Sequence, residues 1–322
     1  MRLYFLFFVF PQDLLQIEQM CNLSETLHAP FDQEDVKAYY HSTLQREYAV
    51  LQACKGPGMH STLSFAPPLG TCASTAAQPA MILKEICLLQ AKNVLEVGCG
   101  QGFCTLFLAK MCPEIIFHAI DILPKHIEIA QKHQTTCALS NTTFSLCNAT
   151  TLDIPEPTHD FDLIFSVEAL CHLDTPTQRR DFLTQASTRL NHNGRIVIID
   201  GFRSPQYDSV SKQQQIAMQI AENGFRIREM PSKQTWIDLA TDLNFLLVQD
   251  RDLTAEVLPF WRQGWKLAHF VLKFSSLLRW VDWKHPKLRE SAANLFSVAT
   301  VAHAMNHRGA AEYGLLIFQK NT

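Results

Sequence analysis

Residues 94 to 102 read Val-Leu-Glu-Val-Gly-Cys-Gly-Gln-Gly. An apolar run from Asn93 to Val97 enters a loop carrying Gly98, Gly100 and Gly102, and an apolar helical pattern follows from Phe103 to Met111. Closely spaced glycines let the backbone turn sharply and let a ligand lie against the main chain. A dinucleotide fingerprint would be Gly-x-Gly-x-x-Gly, with a helix N-terminus aimed at the pyrophosphate. Here the third glycine comes one residue early, and Glu96 stands just before the loop. A carboxylate there repels a pyrophosphate and suits a ligand carrying a cationic amine and a sulfonium.

The second half of the pattern follows at the right distance. Nineteen residues after Gly102, the run Ile115 to Ile120 reads as a strand ending in Asp121, with Ile122 beside it. An acid at that point is placed to accept hydrogen bonds from both hydroxyls of a ribose. Pro124 then opens a helix expected to run through Ala130. The bland alternative is a tight strand-helix turn with Asp121 as a helix cap. The order strand, glycine loop, helix, strand, acid argues against it. That order resembles motif I and its sequel in the class I S-adenosylmethionine (SAM) dependent methyltransferases. The resemblance implies a SAM site built from Glu96, Gly98, Cys99, Gly100, Gln101, Gly102, Asp121 and Ile122.

The remaining core elements are expected in sequence. Thr143 to Cys147 reads as a third strand, followed by Asn148-Ala149 where many relatives place Asp-Ala, the acid meeting the adenine amino group. Asn148 keeps an acceptor oxygen but lacks the charge. Phe161 to Ser166 reads as a fourth strand, with Ser166 at the cofactor end, and leads into Val167-Glu168-Ala169-Leu170-Cys171-His172. Gly194 to Asp200 is the fifth, Phe245 to Asp250 the sixth and Tyr313 to Phe318 the seventh. Strands alternating with helical patterns predict an α/β fold with a doubly wound, seven-stranded, Rossmann-like parallel sheet. Ligands of such sheets bind beyond the carboxyl ends of the strands.

Composition narrows the chemistry. The chain has 322 residues and a formal charge of −3, so no global basic field recruits nucleic acid. Ser204-Pro205-Gln206-Tyr207 lacks the second proline of the amino-methylating nucleic-acid enzymes, and Cys112-Pro113 reverses the cytosine-methylase nucleophile. Nucleic acid is therefore not the expected substrate. The 10 cysteines show no paired CxxC spacing, which points to reduced thiols and no metal site. Leu3 to Phe10 is apolar but too short to span a bilayer, and no cleavage pattern follows it. It reads as an extension ahead of a start at Met20, or as a strand or anchor.

Two further segments resemble the tocopherol and sterol methyltransferases and their alkaloid N-methylating cousins. One is Tyr39-Tyr40 with Tyr48 and Gly58-Met59-His60-Ser61; the other is Asp252 to Trp261, ending in Pro259-Phe260-Trp261. The first implies an aromatic cover over the cofactor, although Tyr39, Tyr40 and Tyr48 would also suit an amphipathic core. Ser61-Thr62-Leu63 departs from the glycine and aromatics usual there, leaving the role of His60 open. About sixty residues separate the sixth and seventh strands, and all five tryptophans lie near that insertion. Phe270, Phe274, Leu277 and Val281 form one helical stripe, and Trp261 to Arg289 holds seven Lys or Arg against the single Asp282. Stripe and charges suit equally a packed helix with a solvated face, or an aromatic lid with peripheral contact to an anionic membrane.

The expected organisation is a leader (1–34), a helical cap (35–90), a SAM-binding core (91–253), an aromatic helical insertion (254–310) and the last strand (311–322). The expected activity is methyl transfer from SAM to a small or medium, largely apolar acceptor: a prenylated phenol, a sterol or isoprenoid, or an amine. His172, Glu168 and His60 are candidates for accepting a proton or steadying positive charge. Tyr39, Tyr40, Phe260, Trp261 and Trp265 are candidates for the substrate lid. A cytoplasmic location is expected, with peripheral membrane contact as the alternative that the basic stretch leaves open; the oligomeric state is left open. The rival readings are a SAM-fold binding protein without catalysis, and a nicotinamide oxidoreductase, which the glycine spacing and Glu96 disfavour.

Overall fold

A computed structural model describes residues 75–154, 160–272, 301–306 and 309–321, together with Ser61, Leu63, Ser297 and Thr300. Side chains of the helix ending at Leu272 are described through Lys266. Tyr39, Tyr40, Tyr48, His60, the stripe residues Phe274, Leu277 and Val281, and the leader lie outside these residues.

Seven strands form one sheet: β1 (Asn93–Val97), β2 (Ile116–Asp121), β3 (Thr142–Leu146), β4 (Phe161–Val167), β5 (Leu190–Arg203), β6 (Phe245–Asp252) and β7 (Ala311–Lys320), in the order β3-β2-β1-β4-β5-β7-β6. The first five are mutually parallel. β7 runs antiparallel between β5 and β6, so the parallel sheet expected from the sequence becomes mixed at this edge. An antiparallel strand needs no crossover helix, which lets the distant β7 wedge between its neighbours.

The apolar runs explain themselves by burial on two faces. Val197 and Ile199 of β5, with Leu315 and Ile317 of β7, join one core cluster, while Ile196, Ile198, Leu316 and Phe318 join the other. Consecutive apolar residues are what a central strand needs when both faces are covered. On the first face pack α1 (Ala77–Leu89), α2 (Phe103–Met111), α5 (Lys212–Gly224) and α7 (Thr254–Leu272). The opposite face receives α4 (Pro176–Arg189) and α6 (Lys233–Asp242).

Helix ends follow local chemistry. At the start of α4 the Thr175 side chain accepts from Gln178 N while the Gln178 side chain accepts from Thr175 N, and Pro176 takes the first helical position. α3 (Pro124–Cys137) opens at its proline as expected but continues seven residues past Ala130. Its last turn is polar, so hydrophobic periodicity gave no sign of it. Trp236, counted among the insertion tryptophans, instead lies in α6, buried edge-on against Phe182 at 6.2 Å. It belongs to the core on the opposite sheet face. Among the described residues, no helix is long and apolar enough to cross a membrane.

Candidate active site

The glycine loop joins β1 to α2 with all three glycines in the left-handed region, at φ of +75° for Gly98, +52° for Gly100 and +86° for Gly102. At Gly98 and Gly102 space also forbids a side chain. A Cβ on Gly98 would stand 2.2 Å from the Cβ of Ala169, and one on Gly102 would stand 2.9 Å from the Phe144 ring. Backbone N–H groups of Gly98 and Cys99 both donate to the Ile120 carbonyl, at 2.8 and 2.9 Å, which pins the loop to the end of β2.

Glu96 is buried beneath this loop. Its Oε2 accepts from Thr105 N at 3.0 Å and from the Thr105 hydroxyl, in the first turn of α2. Burial lifts its carboxyl from the usual 4.5 to about 7; the Thr105 bonds oppose the shift and Asp121 adds to it. The carboxylate thus fills the place where a helix N-terminus would otherwise receive a pyrophosphate. The sequence placed Glu96 toward a cationic ligand; its direct contacts are with the helix.

Asp121 ends β2 and clasps both neighbouring loops. Its Oδ2 accepts from Gly100 N at 2.8 Å, its Oδ1 accepts from Leu123 N at 2.9 Å, and His126 Nδ1 lies 3.3 Å from Oδ1. A carboxylate has about four lone-pair sites, so acceptor capacity remains for ribose hydroxyls. Ile122 beside it is half-buried. The Gln101 carbonyl lies 3.3 Å from His133 Nδ1. Cys99 is buried, and burial, then Asp121 and Glu96, push its thiol well above the ordinary range. Asn148 accepts from Thr150 N at 3.0 Å, a local turn that keeps the start of the Asn148-Ala149 loop at the end of β3. Ser166 is buried near the end of β4 and donates to the Val97 carbonyl at 2.8 Å, tying β4 to β1.

The other half of the site gathers around Glu168, itself left-handed at φ +53°. Ser61 N donates to both carboxylate oxygens at 2.9 and 3.0 Å, and the Tyr313 hydroxyl donates to Oε1 at 2.7 Å. Gln78 on α1 donates through Nε2 to Tyr313 Oη at 3.3 Å and to the Ser61 carbonyl. Burial and the Glu168 charge hold the Tyr313 phenol well above its usual range. Asp200, on β5 opposite Gly314, accepts from Cys171 N at 3.0 Å and Gly201 N at 2.8 Å. Burial and then the Glu168 charge push its carboxyl up to about 7.

His172 sits on the 3-10 turn Leu170–His172 that follows Glu168. Burial lowers its imidazole to about 4, against a hydrogen bond to the Arg226 backbone that works the other way. It is neutral near pH 7 and a feeble base. Tyr313, Gln78 and Asp200 were not singled out by sequence reasoning. Each is a polar residue inside an apolar buried element, and that was the available signal.

On α7, Phe260 and Trp261 pack edge-to-face at 4.9 Å, and Trp261 lies 6.1 Å from Phe225. Trp261 and Trp265 rest on the same core cluster that contains Tyr313. The lid candidates Phe260, Trp261 and Trp265 are therefore half-buried against the body of the protein.

The family described as methyltransferase domain matches residues 88–254. The chain belongs to this family of methyltransferases. Among curated relatives, ajmaline N-methyltransferase of Rauvolfia serpentina is 33% identical over 109 residues, which cover 34% of this chain and 35% of that enzyme. An O-methyltransferase of Aspergillus nomiae is 25% identical over 166 residues, 51% of this chain and 69% of its own length. The first alignment thus spans about a third of the relative. Among solved structures, geranyl diphosphate C-methyltransferase from Streptomyces coelicolor, crystallised with S-adenosyl-L-homocysteine (SAH), superposes with a TM-score of 0.63 at 14% identity, covering 91% of this chain and 99% of that one. The [4+2]-cyclase SpnF superposes at 0.60 with 15% identity, covering 85% and 92%. At such identities the likeness is one of fold.

The glycine loop fits SAM as the methyl donor. SAM carries a sulfonium and a ribose but no phosphate. The glycine loop offers close backbone approach, Asp121 offers carboxylate oxygens at the β2 end, and Glu96 already occupies the helix terminus. A nicotinamide dinucleotide would have to bring its pyrophosphate to that occupied terminus.

Proposed function

We propose that this methyltransferase methylates a small or medium, largely apolar acceptor, within the branch that includes the tocopherol and sterol enzymes. The carrying observation is Glu168: a carboxylate at the end of β4, buttressed by Tyr313 and Ser61. In this reading SAM supplies an electrophilic methyl carbon, and the residues around Gly98, Gly100, Asp121 and Asn148 hold it. Glu168 takes a proton from the acceptor or faces the positive charge that develops on it. His172, neutral near pH 7, lies on the turn that follows. Phe260, Trp261 and Trp265 exclude water and align the acceptor; near-attack alignment can supply about 7–11 kcal/mol of the barrier.

The deciding experiment is turnover of radiolabelled SAM against matched prenylated phenols, sterols and hydrophobic amines, with Glu168→Gln as control. Methylation of one apolar class, lost in the variant while SAH still binds, supports the reading. Methylation of only polar acceptors, or full activity in Glu168→Gln, refutes it. SAM binding with no turnover on any class would favour the non-catalytic reading.

A further inference from the structure

The sheet order divides the cleft. Glu96 and Asp121 stand on β1 and β2, whereas Glu168, Asp200 and Tyr313 stand at β4, β5 and β7. On this second side, two carboxylates lie close enough for one charge to act on the other, and both are held by neutral donors. Among the described residues, neither Glu168 nor Asp200 forms an ion pair with a basic side chain. The nearby cations are committed elsewhere: Lys233 to Asp250 at 2.8 Å, and Arg203 to Glu222 and Glu229 at 2.8 and 2.9 Å. Buried negative charge without a counter-charge is expensive.

A second, independent observation concerns two acceptor atoms in the same cluster. Gln78 is 0% exposed and Ser61 1% exposed, yet Gln78 Oε1 and Ser61 Oγ have no hydrogen-bond partner among the described residues. The opposite end of the Gln78 amide bonds to Tyr313 and Ser61, which fixes the side chain within the cluster. Buried polar atoms in native proteins are nearly always partnered, so these two call for an occupant. Gln78 Oε1 can only accept, and a carboxylate likewise only accepts. What is missing is a small group rich in donors and positively charged. An ammonium has both properties. A phenol has one donor and no charge, a carbon nucleophile has no donor, and a phosphate carries the wrong sign.

Building on the acceptor reading above, we propose that the acceptor is an apolar amine whose ammonium head docks on Glu168, Asp200, Gln78 and Ser61. The bound ammonium gives one proton to the Glu168 carboxylate. The freed lone pair then forms the nitrogen–carbon bond to the methyl while the carbon–sulfur bond breaks and its electron pair passes to sulfur. Positive charge moves from sulfur to nitrogen and stays opposite Asp200, while Glu168 holds the released proton.

The test compares three probes that share one apolar tail: phenethylamine, phenethyl alcohol and phenethyl phosphate, each titrated by calorimetry into the SAH-bound protein at neutral pH. The amine should bind at least about tenfold tighter than the alcohol, with the phosphate weakest. In Glu168→Gln, with SAH affinity and melting temperature as controls, that preference should disappear. Gln78→Met should weaken the amine and spare the alcohol. Equal affinity for amine and alcohol, preference for the phosphate, no binding of any probe, or a preference that survives Glu168→Gln would each overturn the proposal. If Glu168→Gln does not fold, the ranking on the unmodified protein decides alone. Failure to bind SAH would sink the cofactor reading itself; normal SAH binding with no head-group preference sinks only the amine.

Discussion

Gly98→Ala isolates what the first glycine of the loop does. Two penalties are separable from the geometry. The residue sits at φ +75°, where an L side chain strains the backbone by about 1–2 kcal/mol. The new Cβ would lie 2.2 Å from Ala169 Cβ, against an ordinary contact near 3.8 Å. Relieving that overlap by shifting β1 against the turn after β4 should cost a further ~2 kcal/mol, in the range of overpacked cores. The sum is ~3 kcal/mol, or a fall in Tm of roughly 6 °C for a domain of this size. The compensating change is Ala169→Gly, which removes the atom that clashes. Alone it should destabilise by no more than about 1 kcal/mol. Combined with Gly98→Ala it should restore the steric part and leave the backbone part. The assay is a thermal and urea-denaturation cycle on the four proteins. A double variant no more stable than Gly98→Ala, or a Gly98→Ala protein that melts like the parent, would refute the assignment of Gly98 to this contact.

Four further outcomes are expected. Asp121→Ala should weaken SAM by about 2–4 kcal/mol in calorimetry, because it removes a charged acceptor and the Gly100 anchor together; unchanged affinity in a folded variant would exclude the ribose role. Glu96 has its folded value raised from 4.5 to about 7, so the folded state holds a proton the unfolded state has lost, and stability falls as pH rises through that window. Glu96→Gln should flatten this part of a urea-denaturation pH series, and an unchanged slope would contradict it. Thiol labelling under native conditions should modify the exposed Cys87 and Cys137 well before the buried Cys99, Cys104 and Cys171, whose thiols burial pushes up; early labelling of Cys99 by mass spectrometry would oppose that order. Trp261→Ala should lower acceptor kcat/KM by about tenfold or more, with SAM affinity within about twofold. Equal loss of both ligands with a lower melting temperature would assign Trp261 to the core it touches.

The cofactor half was legible because its residues are close in sequence and constrained by backbone geometry. Gly98, Gly100, Gly102 and Asp121 sit within one βαβ unit, where a turn, a helix start and a strand end leave few alternatives. Glu96 stood out as an acid ahead of the loop, but its contacts with Thr105 became visible only in the fold. The Glu168 partners were illegible for another reason: Ser61, Gln78 and Tyr313 lie 107, 90 and 145 positions from it, brought together by the sheet alone. Nothing local distinguishes Gln78 from any polar residue on a helix. The end of β7 could be foreseen as apolar, but not as lying between β5 and β6.

The two halves meet where β1 pairs with β4, and the close approach of Gly98 to Ala169 at the end of that pair links stability to chemistry. Gly98 begins the cofactor loop, and Ala169 follows Glu168 directly. Glu168 N in turn donates to the Ile199 carbonyl at 2.8 Å, one residue before Asp200, so carboxylates and loop share one short backbone path. A shift at Gly98 therefore moves the proton acceptor relative to the methyl donor, rather than moving either ligand's whole site. Displacement of about 1 Å can cost about a hundredfold in rate when alignment carries the reaction. The Gly98→Ala protein should accordingly lose much more kcat than SAM affinity, and Ala169→Gly should recover kcat together with stability. Recovery of stability without kcat would mean that alignment across the cleft is set elsewhere, with the Ser61 and Tyr313 bonds to Glu168 the next place to look.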